Sequence, residues 1–235
     1  MNEIIRKRKS IRKYELTSLD SSILDEVREQ IRNVIPLYPD IKYSINILER
    51  TKGLFNIKAP HYLVLNSEEK DGAYENIGFI GQQMDLFLSG LGLGSCWLGA
   101  SKPGEKDISD LSCIECISFG KPAEPLYRTH SEFKRKPLSK ISAGTDERLE
   151  AARLAPSGMN IQNWFFIAKD EKIHCYKKKS LLGFMDKLAG IDIGIAIYHI
   201  AAESENFNFT KDSTAPKKKG YIHIGTVTLA VTGNA

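Results

Sequence analysis

Two long apolar segments constrain the fold of this chain more than any other feature of its sequence. Residues 76–91 and 191–202 are apolar on nearly every side when they are drawn as helices, and such helices must be buried on most faces. Polar or glycine residues interrupt both segments, and both are short for a membrane span. We therefore predict two core helices and expect no membrane partner.

The elements around these two helices predict an internal repeat. Each half of the chain should contain a helix, a strand, a long buried helix and a second strand, in that order. The first half has a helix over 19–35, a strand over 59–65, a helix over 76–91 and a strand over 116–120; the second has a helix over 146–154 with Thr145 as its N-cap, a strand over 163–168, a helix over 191–202 and a strand over 221–231.

The two core helices also begin alike, with Asn76-Ile77-Gly78 in one and Asp192-Ile193-Gly194 in the other. We therefore predict an α+β fold with two related halves, residues 1–140 and 141–235, that form one compact unit. Between the first core helix and its following strand, residues 95–99 (SCWLG) are predicted as a tight loop.

Composition excludes several classes of protein. Hydrophobic residues make up 42% and charged residues 26% of the 235 positions, as in ordinary globular proteins. The net charge of +4 permits an anionic ligand without requiring nucleic acid. The N-terminus lacks the apolar core of a secretory signal, so a cytoplasmic location is expected.

The cysteines and histidines do not predict a metal site. Four cysteines are too few for a disulfide scaffold, and the five histidines show no metal-binding spacing. Cys113 and Cys116 form a single CxxC motif, whereas a zinc site would require a second pair of ligands. We interpret them as two thiols at the start of a buried strand.

Two basic clusters could bind an anion. In an extended segment, Arg8, Ser10 and Arg12 lie on one face, and two cations that flank a hydroxyl can hold a phosphate dianion. A second cluster covers residues 134–136, far away in sequence. The alternative is that both clusters are solvated surface, and the basic residues alone favour that interpretation.

Two further segments are suited to ligand binding. Residues 156–164 (PSGMNIQNW) are rich in small hydrogen-bonding side chains, and residues 90–99 (GLGLGSCWLG) are rich in glycine, which lets a backbone approach a ligand closely. The alternatives are a capped connector and a helix end with a buried Trp. The glycine segment is not a dinucleotide-binding fingerprint, because it follows a helix and its spacing differs.

Taken together, RKSIRKY, GLGSCWLG, FGKP, KRKPL and PSGMNIQNW resemble the motifs of the FMN-dependent nitroreductase superfamily, in particular its short single-chain branch. The resemblance extends over nearly the whole chain. It implies a nitroreductase-like fold with mixed or antiparallel central sheets flanked by helices. It also implies one non-covalent FMN, hydride from NAD(P)H, and reduction of nitroaromatics, quinones or a related small acceptor. Neither NADH nor NADPH is favoured.

The resemblance also implies roles for individual residues. No catalytic side chain is expected, because the flavin carries the chemistry. The FMN phosphate would be bound by Arg8, Ser10, Lys134 and Lys136. Lys9 would lie by the ribityl chain, Arg12 would reach the pyrimidine edge, and the backbone of Leu98 and Gly99 would face the flavin N5 and O4 atoms. The second half would contribute Pro156, Ser157, Asn160 and Gln162. Asn163, next to Gln162, stands where the family usually has Pro.

One departure from the family pattern is informative. Family members are commonly intertwined homodimers, in which the P-S-x-x-N loop follows soon after the N-terminal basic motif. Here residues 34–40 (VIPLYPD) occupy that place, and the loop motif follows residue 155 instead. The chain therefore resembles a dimer fused into one polypeptide, with one FMN site built by both halves, and we expect a monomer.

Two other classes of function stay open on the sequence. One is a flavin-binding protein without turnover, such as a reservoir or a sensor. The other is a nucleic-acid binder that uses residues 6–13 and 134–136. Aromatic residues do not interleave with these basic residues as a base-stacking surface requires, so no nucleic-acid partner is expected.

Overall fold

A computed structural model describes residues 2–53 and 57–229 of the chain. The helices are α1 (Asn2–Ile5), α2 (Ser21–Asn33), α3 (Ala73–Gly90), α4 (Leu138–Ile141), α5 (Arg148–Leu154) and α6 (Gly183–Ala202), with short 3₁₀ turns at His130–Glu132 and Gly158–Asn160. The strands are β1 (Tyr43–Leu48), β2 (Thr51–Lys52), β3 (His61–Ser67), β4 (Gly94–Trp97), β5 (Lys102–Pro103), β6 (Ser112–Gly120), β7 (Ser142–Ala143), β8 (Trp164–Lys169), β9 (Lys172–Lys178), β10 (Phe207–Thr210) and β11 (Tyr221–Leu229).

The two main sheets have the same topology. The first has the order β1-β3-β6-β4, and α3 connects β3 to β4. The second has the order β8-β9-β11-β10, and α6 connects β9 to β10. All these pairs are antiparallel, and the second sheet adds β7, parallel to β8 at its edge. The observed fold is α+β with antiparallel sheets and helices, as predicted.

A β-bulge occurs at the equivalent place in both sheets. In the first sheet Ile114 is the extra residue between the pairs Cys113–Asn66 and Glu115–Leu65. In the second sheet Ile224 has the same place on β11, between the pairs made by His223 and Gly225. The shared irregularity strengthens the topological likeness of the two halves, because a bulge is a specific local feature of a strand pair.

The long helices α3 and α6 pack directly on each other. A Cβ atom at Gly78 would lie 2.1 Å from the carbonyl oxygen of Ile191, and one at Gly194 would lie 2.0 Å from that of Glu75. The contact is reciprocal, because Glu75 and Gly78 of α3 occupy the same places as Ile191 and Gly194 of α6. Only glycine permits such an approach of backbone to backbone.

Each of these helices also covers one sheet. Ile77, Ile80 and Met84 of α3 share a buried cluster with Leu65 and Phe119, whereas α6 buries its apolar residues with those of the second sheet, including Trp164, Phe166, Ile173 and Val227. Apolar burial on both sides explains why neither helix has a polar face. Among the described residues, no helix has the length and apolarity needed to cross a bilayer.

Several element boundaries differ from the predictions. Helix α6 begins at Gly183 rather than Ile191, and part of the predicted 95–99 loop is strand β4. Thr145 does not cap α5; instead the Asp146 carboxylate accepts the N–H of Arg148 at 2.9 Å. Strands β1, β9 and β10 were not predicted. The last two residues of the strand predicted over 221–231 lie outside the described residues.

Candidate functional site

The N-terminal basic segment lies along β4. Ser10 forms an isolated parallel bridge with Ser95, and the N–H of Ile11 donates to the carbonyl oxygen of Ser95 at 2.9 Å. Gly94 makes room for Ile11, because a Cβ at Gly94 would lie 2.7 Å from the Ile11 Cγ2 atom. The motifs RKSIR and GLGSCW, far apart in sequence, are therefore adjacent in the fold.

Arg8 is buried in an ion pair rather than exposed to solvent. Its side chain is 1% exposed, and its Nε atom lies 3.0 Å from the Oδ2 atom of Asp85 in α3. Its Nη2 atom lies 3.4 Å from both Asp85 Oδ1 and Ser10 Oγ, and Ser95 Oγ donates to Asp85 Oδ1 at 2.6 Å. Asp85 thereby positions the Arg8 guanidinium next to the Ser10 hydroxyl.

The same carboxylate belongs to a network that reaches the second half. Gln82 Nε2 donates to Asp85 Oδ2 at 2.8 Å and to His199 Nε2 at 3.2 Å. His199 Nδ1 contacts the carbonyl oxygen of Ala151 at 2.8 Å. Burial lowers the pKa of His199 to about 3, so its imidazole is neutral. Nδ1 carries the proton, because the carbonyl oxygen of Ala151 can only accept a hydrogen bond.

Two further arginines lie near Arg8: Arg128, which the sequence did not indicate, and Arg135, which belongs to the predicted basic cluster 134–136. The guanidinium groups of Arg128 and Arg135 lie 4.8 and 5.7 Å from the ring centroid of Phe133. Burial and the positive charge of Arg8 lower the pKa of both groups, that of Arg135 to about 10. Among the described residues, the buried Arg128 Nε has no hydrogen-bond partner. This arginine cluster (Arg8, Arg128 and Arg135) is a place where an anion would be stabilised.

The second basic segment joins the 156–162 loop to this cluster. Arg135 Nη1 donates to the Asn160 side-chain oxygen, and Asn160 Nδ2 donates to the carbonyl oxygen of Lys134 at 2.6 Å. The Lys136 N–H donates to Gln162 Oε1 at 2.8 Å, and its amino group donates to backbone carbonyl oxygens of the loop. The KRK segment of the first half and the loop of the second half are therefore in direct contact.

The backbone of this loop is strained. Met159, Asn160 and Gln162 have φ values of 50°, 58° and 53°, in the left-handed region that non-glycine residues seldom adopt. Ser157 Oγ accepts the N–H of Gln162 at 3.0 Å, and Pro156 is buried. Three left-handed residues within four positions are a feature that folded proteins often keep at functional sites.

Core helices hold this loop and its first-half counterpart in the same way. Asp192 Oδ1 accepts the N–H of Gly158 at 2.8 Å, and Asn76 Oδ1 accepts the N–H of Tyr38 at 3.0 Å. Asn76 and Asp192 occupy the same place in α3 and α6, two residues before Gly78 and Gly194. Within the described part of the chain, Asn76 Nδ2 and Asp192 Oδ2 have no hydrogen-bond partner.

The glycine segment presents one backbone amide more openly than the other. The N–H of Leu98 donates to the carbonyl oxygen of Cys116 at 2.9 Å, and Leu98 is buried. Gly99 is exposed, and a Cβ there would meet no atom within 4 Å. Of the two amides predicted to face a ligand, that of Leu98 is therefore occupied and that of Gly99 lies at an open position.

The remaining predicted residues lie at the rim of this region. Lys9 is half-buried, whereas the side chains of Arg12 and Lys134 are exposed. The backbone N–H of Arg12 donates to Glu124 Oε1 at 2.7 Å. The structure thus brings Ser10 next to Arg8 of the arginine cluster, joins 134–136 to 156–162, and leaves the Arg12 side chain exposed.

The sequence did not predict Asp85, Gln82, His199 or Arg128, and it indicated Arg135 only as part of the basic cluster 134–136. One signal was present, because Gln82 and Asp85 are polar residues within a largely apolar helix and must be satisfied when they are buried. In the part of the chain that the structure describes, no group of three or more His, Cys, Asp and Glu side chains is placed to hold a metal ion.

Comparison with known proteins identifies the family. The sequence profile of the family described as "Putative TM nitroreductase" matches residues 1–204. A crystal structure from Thermotoga maritima, described as a "putative nitroreductase", superposes with a TM-score of 0.66 at 20% identity, over 96% of this chain and 90% of that one.

Two structures from Clostridium difficile each correspond to 62% of this chain. One is described as a nitroreductase family protein, with 19% identity, a TM-score of 0.49 and 99% of its own length covered. The other is described as an FMN-dependent nitroreductase, with 18% identity, a TM-score of 0.45 and 100% of its own length covered. No protein with curated annotation matches this chain. The match of the family profile over most of the sequence shows that the chain belongs to this nitroreductase family.

Proposed function

We propose that this protein is an FMN-dependent oxidoreductase that takes hydride from NAD(P)H and reduces a small acceptor such as a nitroaromatic or a quinone. The observation that carries the proposal is the arginine cluster beside the strained 156–162 loop. Structures described as an "FMN-dependent Nitroreductase" and as a "Putative NADH Oxidase" are among those similar in fold to this chain. Family membership supports the reaction class.

The residues present fit the phosphate of FMN. Asp85 balances the charge of the buried Arg8, so Arg128 and Arg135 supply the excess positive charge. The unpartnered Arg128 Nε is a buried donor without an acceptor, which is costly unless a ligand supplies one. Ser10 Oγ, next to Arg8 Nη2, adds a hydroxyl donor. Lys134 and Lys136 would support this site, Lys136 by holding the loop in place.

The other residues of the site would position the flavin ring. Bound FMN supplies the redox chemistry, since its N5 atom accepts hydride. The open backbone at Gly99 lets a planar ring approach closely and offers an N–H donor. Arg12 would place a positive charge at the pyrimidine edge, and Lys9 would lie along the ribityl chain. Pro156, Ser157, Asn160 and Gln162 would bind from the second half.

The likeness of the two halves supports one site per chain. The shared strand order, the shared bulge and the reciprocal glycine contacts are what a fusion of two related subunits would leave. We propose that residues 1–140 and 141–235 are these two modules. The arginine cluster belongs to the first and the strained loop to the second, so a monomer suffices for binding.

The test is to release and identify the bound molecule and then to follow its reduction. Heat or acid should release about one FMN per chain, and NAD(P)H added without oxygen should bleach the flavin faster than it bleaches free FMN. Recovery of FAD, or of two FMN per chain, contradicts the proposed site. Bound FMN that NAD(P)H reduces no faster than free FMN would leave a flavin-binding protein without turnover.

Arg128→Ala tests the phosphate site. Loss of a charge-assisted contact should weaken FMN binding by about 1.5–3 kcal/mol, roughly ten- to a hundred-fold. Arg28→Ala is the matched control, because Arg28 is an exposed arginine whose partner is the nearby Asp25 on the same helix. FMN affinity that is equal in the two variants would remove Arg128 from the site.

A further inference from the structure

Cys113 and Cys116 are close enough to react with each other. Their Sγ atoms lie 4.0 Å apart, although residues three apart in a regular strand point to opposite faces of the sheet. The bulge explains the proximity. Because Ile114 is the extra residue, Cys113 pairs with Asn66 and Cys116 with Val64, two positions apart on β3, which places both thiols on one face.

The surroundings of the two thiols differ. Cys113 is partly exposed, whereas Cys116 is fully buried among Ile11, Val64 and Leu98. The neighbouring Cys116 thiol lowers the pKa of Cys113, and the positive charge of Lys102 contributes in the same direction. The hydrogen bond with Cys113, together with burial, raises the pKa of Cys116. Cys113 is therefore the thiol that can first meet a reagent from solution.

We propose that Cys113 and Cys116 form a redox-active dithiol that reacts with small organic disulfides. The Cys113 thiolate attacks one sulfur of the disulfide, whose S–S bond breaks, and the departing thiolate takes up a proton. Cys116 then loses its proton and attacks Cys113 Sγ, which expels the second thiol. The two cysteines lose two electrons, and the small disulfide gains them as two thiols.

Formation of this ring would move the backbone next to it. The two sulfurs must approach from 4.0 Å to a bond of about 2.05 Å. The two Cβ atoms of a disulfide must also lie closer together than those of neighbouring residues on one face of a strand. The bulge has to tighten, so the disulfide would be strained and easily reduced. The carbonyl oxygen of Cys116 accepts the Leu98 N–H, so the movement reaches the glycine segment.

The experiment treats the purified full-length protein with 2-hydroxyethyl disulfide and maps the cysteine peptides by mass spectrometry. We expect a Cys113–Cys116 disulfide that dithiothreitol reverses. The buried Cys96 and Cys175 should stay free and serve as internal controls. Cys113 should react at least ~10-fold faster than Cys175, because each unit of pKa changes the thiolate fraction about tenfold.

Two variants test the order of attack. Cys116→Ser should accumulate a stable mixed disulfide on Cys113, whereas Cys113→Ser should leave Cys116 unmodified. Amide hydrogen exchange at Leu98 should be faster in the oxidised protein than in the reduced one. A mixed disulfide that persists on Cys113 in the unmutated protein, or equal reaction of all four cysteines, would overturn the proposal. None of these measurements depends on a bound flavin.

Discussion

The loops that follow α2 and α5 are held alike but are built differently. In the first half, Leu37 is buried and Tyr38 packs against the apolar cluster around α6. In the second half, the equivalent residues are Ser157 and Gly158, and the positions that follow have left-handed backbone. One loop is filled with apolar side chains and the other is polar and strained, so two frames of the same topology carry different side chains at the same place.

The core helices show the same difference. When they are aligned on Gly78 and Gly194, Asp85 of α3 corresponds to Ala201 of α6, and Gln82 corresponds to Tyr198. Only the first helix therefore carries the buried carboxylate that pairs with Arg8. The two halves therefore share the glycine contacts between the core helices and the backbone N–H contacts that anchor the loops, whereas their buried charged groups differ.

The largest effect is expected from removal of Arg8. Arg8→Ala leaves Asp85 buried without a cation and should lower the free energy of unfolding by about 3–5 kcal/mol. Urea denaturation measures it, with Arg28→Ala as the exposed control, for which a change below about 1 kcal/mol is expected. Equal free energies of unfolding for Arg8→Ala and Arg28→Ala would mean that the first half does not contain the buried ion pair that distinguishes it from the second.

A smaller and symmetrical effect is expected at the helix crossing. Gly78→Ala and Gly194→Ala each place a methyl group against a carbonyl oxygen and should each destabilise the protein by about 1–3 kcal/mol. Gly90→Ala is the control, because a Cβ there meets no atom within 4 Å and alanine favours helix. If only one of the two substitutions lowers the free energy of unfolding, the two halves do not contribute equivalent contacts to the helix crossing.

Asp192→Asn makes the second loop anchor identical to the first. Burial raises the pKa of Asp192 to about 8, so the folded state retains a proton that the unfolded chain loses near pH 4. The contribution of Asp192 to the free energy of unfolding is therefore fully present at low pH and is lost as the pH rises towards 8. The substitution should flatten this decline by up to about 1.4 kcal/mol per pH unit. Glu115, whose pKa burial raises to about 7, leaves a residual slope.

The check on that variant is the unfolding free energy measured from pH 5 to pH 8. Relative to the unmutated protein, Asp192→Asn should gain stability as the pH rises. A constant difference over this range would mean that Asp192 is ionised in the folded protein.

The smallest effect is expected from release of loop strain. Met159→Gly relieves a left-handed residue but increases the freedom of the unfolded chain, so a gain of at most about 1 kcal/mol is expected. Met159 is exposed, and Met159→Ala retains the strain and serves as the control. No counterpart is available in the first loop, whose residues 34–40 have no positive φ.

The sequence predicted the parts of the fold that local patterns encode. Helices α3 and α6 were recognised from their apolar character. The repeat was predicted from the order of elements in each half and from the similar beginnings of these helices. Strand β9 (KIHCYKK) escaped prediction because its charged ends mask a short apolar centre. Strand β4 was taken for a loop, since its pairing depends on the distant β6 and on the N-terminal segment beside it.

The candidate site was less predictable for the same reason. Arg8 and Ser10 were selected from their spacing, but their partner Asp85 is brought to them only by packing of α3. Arg128 and Arg135 acquire significance only when the chain folds both beside Phe133. Sequence patterns can propose the groups that suit an anion, but the tertiary fold decides which of them are buried together.

The glycine crossing of α3 and α6 has a mechanical consequence. Backbone meets backbone at both Gly78 and Gly194, so at these two points no side chain lies between the helices that could change rotamer and let them slide. Sliding of α3 along α6 would press these backbones into each other, so shear is sterically opposed at this crossing.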